Sequence, residues 1–137
     1  MSSPIFRNIG AYIASKLGVA PQSASAGTIN GAAIDRLGFG SAVLVAECGA
    51  ATGAPTTRTV NSKLQQSADG STGWTDVTNA ATPTLSADNG IAEADIDLSG
   101  CHRYVRQAIV AAFTGGTSPA IPVSGTVVLG GAQELPV

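Results

Sequence analysis

From residue 37 onward the chain is a series of short apolar segments with a period of two. That spacing puts alternate side chains on opposite faces of a β-strand. The run Ala42-Val43-Leu44-Val45-Ala46-Glu47-Cys48 is nearly all apolar, which predicts a strand covered on both faces. Over residues 58–67, Val60, Ser62 and Leu64 alternate with Thr59, Asn61, Lys63 and Gln65. Asp69-Gly70-Ser71 reads as a turn, and Trp74-Thr75-Asp76-Val77 as a short strand or strand edge. Residues 80–89 are polar and contain Pro83, the pattern of a loop around a short extended piece. In residues 91–98, Ala92, Ala94, Ile96 and Leu98 face one way and Glu93, Asp95 and Asp97 the other. After Ser99-Gly100, residues 102–113 form a long strand pattern with Tyr104, Val105, Ile109, Val110 and Phe113. Gly115-Gly116-Thr117-Ser118-Pro119 reads as a hairpin-like loop, and residues 121–129 as a last long strand ended by Gly130-Gly131. Strands at this spacing, with no convincing helix after residue 36, predict an all-β fold. The expected architecture is a jelly-roll-like antiparallel β-sandwich over residues 37–132 with a short tail, 133–137.

The first 36 residues read differently. Ile5, Phe6, Ile9, Tyr12, Ile13 and Leu17 have approximate helical spacing, so a short helix over residues 5–17 is expected, weakened by Gly10 and Gly18. A small-residue linker, Ala20-Pro21-Gln22-Ser23-Ala24-Ser25-Ala26-Gly27, follows. Residues 1–36 therefore read as an extended N-terminal arm. Its apolar residues need a surface, either a neighbouring subunit or the chain's own domain. Those six residues are the candidate contacts with a partner surface or a neighbouring subunit.

Composition sharpens this picture. Charged residues make up 12% of the 137-residue chain and aromatics 4%, about half the usual charged share. A chain with so little surface charge suits burial against neighbours better than life alone in solution. The net charge is −2 and no basic run is present, so a nucleic-acid partner is not expected. No apolar run approaches the roughly 20 residues that span a bilayer, so no membrane partner is expected either. The start Met1-Ser2-Ser3-Pro4 is not basic and Lys16 interrupts the apolar stretch, unlike a secretory signal. The expected site of synthesis is the cytoplasm.

Candidate chemistry is sparse. Cys48 and Cys101 define neither a disulfide framework nor a zinc site; both read as thiols buried in strand-like context. The lone histidine, His102, follows Cys101, and adjacent strand residues point to opposite faces, so the two make no nucleophile–base pair. Glu93, Asp95 and Asp97 read as the solvated face of a half-buried strand, not a metal cluster. Asp35-Arg36 is a candidate local ion pair. Trp74, Tyr104 and Tyr12 are the candidate aromatic platforms for a sugar, with Trp74 more readily read as a core plug or sandwich-edge residue. No catalytic role, metal or cofactor is assigned.

Three stretches resemble the small decoration, or cement, proteins of tailed-phage capsids. They are Ala33-Ile34-Asp35-Arg36-Leu37-Gly38-Phe39-Gly40-Ser41-Ala42-Val43-Leu44; the segment from Lys63 through Asp69-Gly70 to Trp74-Thr75-Asp76-Val77; and Arg103-Tyr104-Val105-Arg106 followed by Val127-Val128-Leu129-Gly130-Gly131. Together they cover roughly residues 33–131. The resemblance implies a jelly-roll-like sandwich on the outer surface of a virion. Its partners would be the major capsid protein and further copies of itself, as symmetric dimers or else trimers bridging capsomers. A receptor- or glycan-binding head or tail appendage of a phage is the alternative.

Overall fold

A computed structural model describes residues 8–137. Its strands are β1 (Ala14–Ala24), β2 (Gly27–Asn30), β3 (Ile34–Asp35), β4 (Phe39–Cys48), β5 (Thr57–Ser67), β6 (Thr75–Ala81), β7 (Ile91–Asp97), β8 (Tyr104–Thr114) and β9 (Ile121–Ala132). They build two antiparallel sheets. The front sheet has the order β1-β9-β4-β7, and the back sheet β2-β8-β5-β6 with β3 also on β8. Because β2 and β3 pair successive stretches of β8, they act as one interrupted strand. The pairings are then nested: β1 with β9, β2 and β3 with β8, β4 with β7, β5 with β6. This is a long hairpin rolled into two layers, a jelly roll. The all-β sandwich expected from the alternation is the fold observed.

The alternation also builds the core. On β4, Ala42, Leu44, Ala46 and Cys48 are buried, and on β9 Ile121, Val123, Val127 and Leu129 are buried. Val60 and Leu64 of β5 and Val105, Ile109 and Ala111 of β8 meet them from the back sheet. The buried side chains separate into two clusters. One gathers around Leu44, Leu64, Leu98 and Leu129, the other around Val19, Val60, Ile109 and Ile121. Between them lies a polar layer. Gln107, fully buried on β8, donates its Nε2 to the Val45 carbonyl of the front sheet at 2.9 Å and to Ser62 Oγ at 2.8 Å. Its amide occupies the space that side chains at Gly18 and Gly125 would fill: a Cβ at either position would overlap Gln107 Oε1. Gly31, whose N–H donates to the Gln107 carbonyl at 2.7 Å, is held against the Gly18 carbonyl in the same way.

The first 36 residues differ from expectation. Ile9–Ala11 form a single 3-10 turn, and β1 begins at Ala14. No helix forms over the described part of residues 5–17, because a short isolated helix is marginal in water while β9 offers a full ladder of partners. The small-residue linker forms the second half of β1, with Gln22 opposite Val123 and Ala24 opposite Ile121, and then the turn into β2 at Gly27. Residues 14–35 are thus strands of the sandwich, not an arm outside it. This is the fold-back alternative. Ile5 and Phe6 lie outside the described residues.

The polar layer generates a coupling test. Gly125→Ala is expected to cost about 1–3 kcal/mol, the range for overpacking a filled core. In a Gln107→Ala background the obstructing amide is gone and the cost should fall, giving a coupling of about 1 kcal/mol or more. Urea unfolding of the two single variants and the double variant measures it; strictly additive costs would contradict the close approach.

Candidate functional site

The two outer faces of the sandwich have opposite characters. The back-sheet face is polar, and its side chains are engaged with one another. Arg106 Nε donates to Gln65 Oε1 at 2.9 Å, Gln65 Nε2 to Asp76 Oδ1 at 2.9 Å, and Lys63 Nζ to Asp76 Oδ2 at 3.2 Å. The Arg106 guanidinium also lies 4.5 Å over the Trp74 ring, a cation–π contact. Trp74, half-buried, therefore closes a surface ladder. Its turn is set by Asp69, whose carboxylate accepts from the Ser71 and Thr72 N–H groups at 2.9 Å each, from Thr72 Oγ1 at 2.8 Å and from Ser67 Oγ at 3.0 Å. Those donors, the Thr72 N–H foremost, hold the Asp69 carboxyl far below the usual range.

The front-sheet face is apolar at its centre. Cross-strand register places Ser15, Val128, Val43 and Asp95 in one row, and Leu17, Thr126, Val45 and Glu93 in the next. A third row runs Gly130, Ser41, Asp97. All point away from the core, since their chain neighbours Leu44, Val127, Leu129 and Ile96 are buried. Ile13 packs beside Gly130, and a shallow groove lined by Tyr12, Ile13, Val43, Val128 and the Asp95 and Asp97 side of β7 crosses the face. Val43, Val45 and Val128 are half-buried by their neighbours, and nothing among the described residues forms a layer over them. The expectation that residues 42–48 are covered on both faces is thus met on the inner face only. Leu17, on the same face, is 64% exposed.

The apolar surface continues around one end of the sandwich. Tyr12 lines both the face groove and a second one with Ile9, Ala132 and Leu135. Beside it, Leu37, Phe39, Pro136 and Val137 line a third. The tail is tied there by the Val137 N–H to the Ala11 carbonyl at 3.0 Å and the Gln133 N–H to the Gly38 carbonyl at 2.8 Å. Ile9 is 68% exposed. The structure therefore joins the described sequence candidates Ile9, Tyr12, Ile13 and Leu17 into one surface. Sequence reasoning missed Val43, Val45, Val128, Leu37 and Leu135 as members of it. The signal was present in the apolar runs of β4 and β9, which a two-layer sandwich covers on one side only.

The remaining candidates fall elsewhere. Glu93, Asp95 and Asp97 are exposed along β7, on the solvated face expected of them. Cys48 is a buried free thiol. Cys101 is also a free thiol, but it and His102 sit in the turn before β8, not on a strand; partial burial pushes the Cys101 thiol up. Asp35 pairs with Arg103, not with Arg36: Arg103 Nε and Nη2 donate to its two oxygens at 3.0 and 2.8 Å. Arg36 instead donates to the backbone carbonyls of His102, Phe39 and Cys101. The Arg103 hydrogen bonds, with the Leu37 N–H, hold the Asp35 carboxyl down at about 2.

No protein-family model matches the chain, and no curated protein does. Two solved structures resemble it in outline. The SPBc2 prophage-derived protein YomS superposes with a TM-score of 0.41 at 16% identity, over 85% of this chain and 94% of that one. The CBM22-2 xylan-binding domain of Paenibacillus barcinonensis Xyn10C superposes with a TM-score of 0.45 at 12% identity, over 85% and 91%.

The Asp35 and Asp69 arrangements set a pH dependence. Both carboxyls titrate lower in the folded chain than the roughly 3.9 of an unfolded aspartate. The Asp35 contribution is present above about pH 4 and is lost as pH falls through about 2, and that of Asp69 is lost at still lower pH. The melting temperature should therefore drop between pH 4 and pH 2, and Asp35→Asn should flatten part of that drop in a thermal-melt series. A drop of equal size in the variant would remove Asp35 from the account.

Proposed function

We propose that this chain is a non-enzymatic structural protein of a phage virion. In this reading it is a capsid decoration protein that binds the outer surface of the major-capsid-protein shell at capsomer junctions, as a symmetric dimer or trimer. The observation that carries the reading is the apolar centre of the front sheet's outer face, over which no described residue forms a layer. On the outer side β4 carries Val43 and Val45 and β9 carries Val128, and no described residue forms a layer over them. An apolar face continuous with the exposed end around Ile9 and Leu135 fits a surface that another protein closes. The low charge of the chain and the resemblance over residues 33–131 support the same reading. A shell offers the same contact many times, so a contact weak in isolation suffices when linked copies bind together.

The sugar-binding alternative would use Trp74 on the opposite face, where the Arg106 guanidinium already lies on the ring. One pair of variants separates the two. Mixed with preformed empty capsids of the cognate phage, the wild-type chain should co-sediment and raise the shell's melting temperature. Val43→Lys/Val45→Lys should weaken that attachment about tenfold or more, the loss expected from placing charges in an apolar contact. Trp74→Ala should leave it unchanged. Wild-type chain that stays in the supernatant contradicts the decoration reading; glycan or cell binding that Trp74→Ala abolishes favours the alternative.

A further inference from the structure

The front-sheet face is apolar in its middle and acidic along one side. Glu93 and Asp95 of β7, with Glu47 at the end of β4, are exposed there, and none has an ion-pair partner among the described residues. Asp97 is different: it accepts the Ser99 N–H at 2.9 Å and serves the turn after β7. Strand β7 is also one of the two edges of its sheet, paired among the described residues with β4. The opposite side of the face, along β1, presents Ser15 and Leu17.

We infer that the occupant of this face is a different protein chain whose surface carries an apolar ridge flanked on one side by Lys or Arg, seated so that the cations meet Glu93 and Asp95. The inference rests on the decoration reading and adds to it the chemistry of the partner and the orientation of the sandwich. Charge complementarity selects the partner's sign, and it disfavours anionic surfaces such as nucleic acid or acidic lipid. It also argues against a second copy of this chain. A two-fold axis in the plane of the face, running along or across the strands, lays β7 on one of two places. It meets the copy's own β7, acid on acid, or the copy's β1, where Ser15 and Leu17 face outward.

The chain's described cations are largely engaged elsewhere. Arg58 pairs with Asp88 at 3.2 Å, Lys63 with Asp76 at 3.2 Å and Arg103 with Asp35 at 2.8 Å. Arg36 is spent on carbonyls and Arg106 on Trp74 and Gln65. Lys16 remains, on β1 where its neighbours face outward.

The probe is the empty capsid of the cognate phage, assayed by co-sedimentation at 50 and 500 mM NaCl. Wild-type attachment should fall about tenfold or more at the higher salt, as a charged rim is screened. Glu93→Lys/Asp95→Lys should lose a similar factor at 50 mM and show little further salt dependence. The milder Glu93→Gln/Asp95→Asn should fall between them, and it carries the test if the lysine variant fails to fold. Wild-type chain that does not bind removes the decoration reading and this inference with it. Wild-type chain that binds, with charge-reversed chain binding equally well, overturns the inference alone. So does sedimentation velocity in which the wild-type chain self-associates and the lysine variant does not, because the face would then belong to a second copy.

Discussion

The sandwich is organised around one buried amide. Gln107 sits midway along β8, between the two apolar clusters, and reaches across to the Val45 carbonyl while also binding Ser62 Oγ. A buried side-chain amide that loses its partners costs about 1–3 kcal/mol, so this crossbar fixes how the two sheets sit. It imposes conditions on three other segments. Gly18 and Gly125 must lack side chains to admit the amide, and Gly31 must lie against Gly18. Gly18 is also where the β1 register shifts, between Leu17 and Val19, and Gly31 falls in the gap that separates β2 from β3. The amide's Oε1 finds no hydrogen-bond donor among the described residues. The interruption of the rolled hairpin and the bulge in its edge strand both follow from the room this residue takes.

With the core fixed, the two outer faces diverge. The back-sheet face is closed on itself: the Trp74–Arg106–Gln65–Asp76–Lys63 ladder satisfies its own charges and donors, leaving little for a ligand to complete. The front-sheet face is the reverse. Glu93 and Asp95 have no ion-pair partner among the described residues, its centre is Val43, Val45 and Val128, and Ile9, Tyr12, Leu135 and Val137 lie beside it. The asymmetry supports a docking role for the front face. The back ladder and the Asp69-centred turn hold β5, β6 and β8 in place behind it.

Much of this was legible in the sequence. Alternation over residues 91–98 marked β7 with its acids outward, and Asp69-Gly70 marked its turn because an aspartate can gather the N–H groups that follow it. Strand β1 was not legible. Ser15, Lys16 and Leu17 are all exposed, and two register shifts break its alternation, so its apolar residues mimic a helical period. An edge strand held by one neighbour carries little pattern of its own; its structure comes from β9. Gln107 escaped notice because one polar residue in an apolar strand says nothing of its partners on other strands. The pairing of Asp35 with Arg103 was hidden by the nearer Arg36, since the sequence does not show β3 lying against β8. The front face was half legible: residues 42–48 demand two covered sides, and only the fold reveals that no described residue covers the outer one.

The account's central claim is that the front sheet is the side that meets a partner. The most direct measurement is a cryo-electron-microscopy reconstruction of capsids carrying the bound chain. The account predicts β1, β9, β4 and β7 facing the shell, with basic side chains of the capsid protein beside Glu93 and Asp95. A reconstruction in which the front sheet faces solvent and the Trp74 face meets the shell would contradict it.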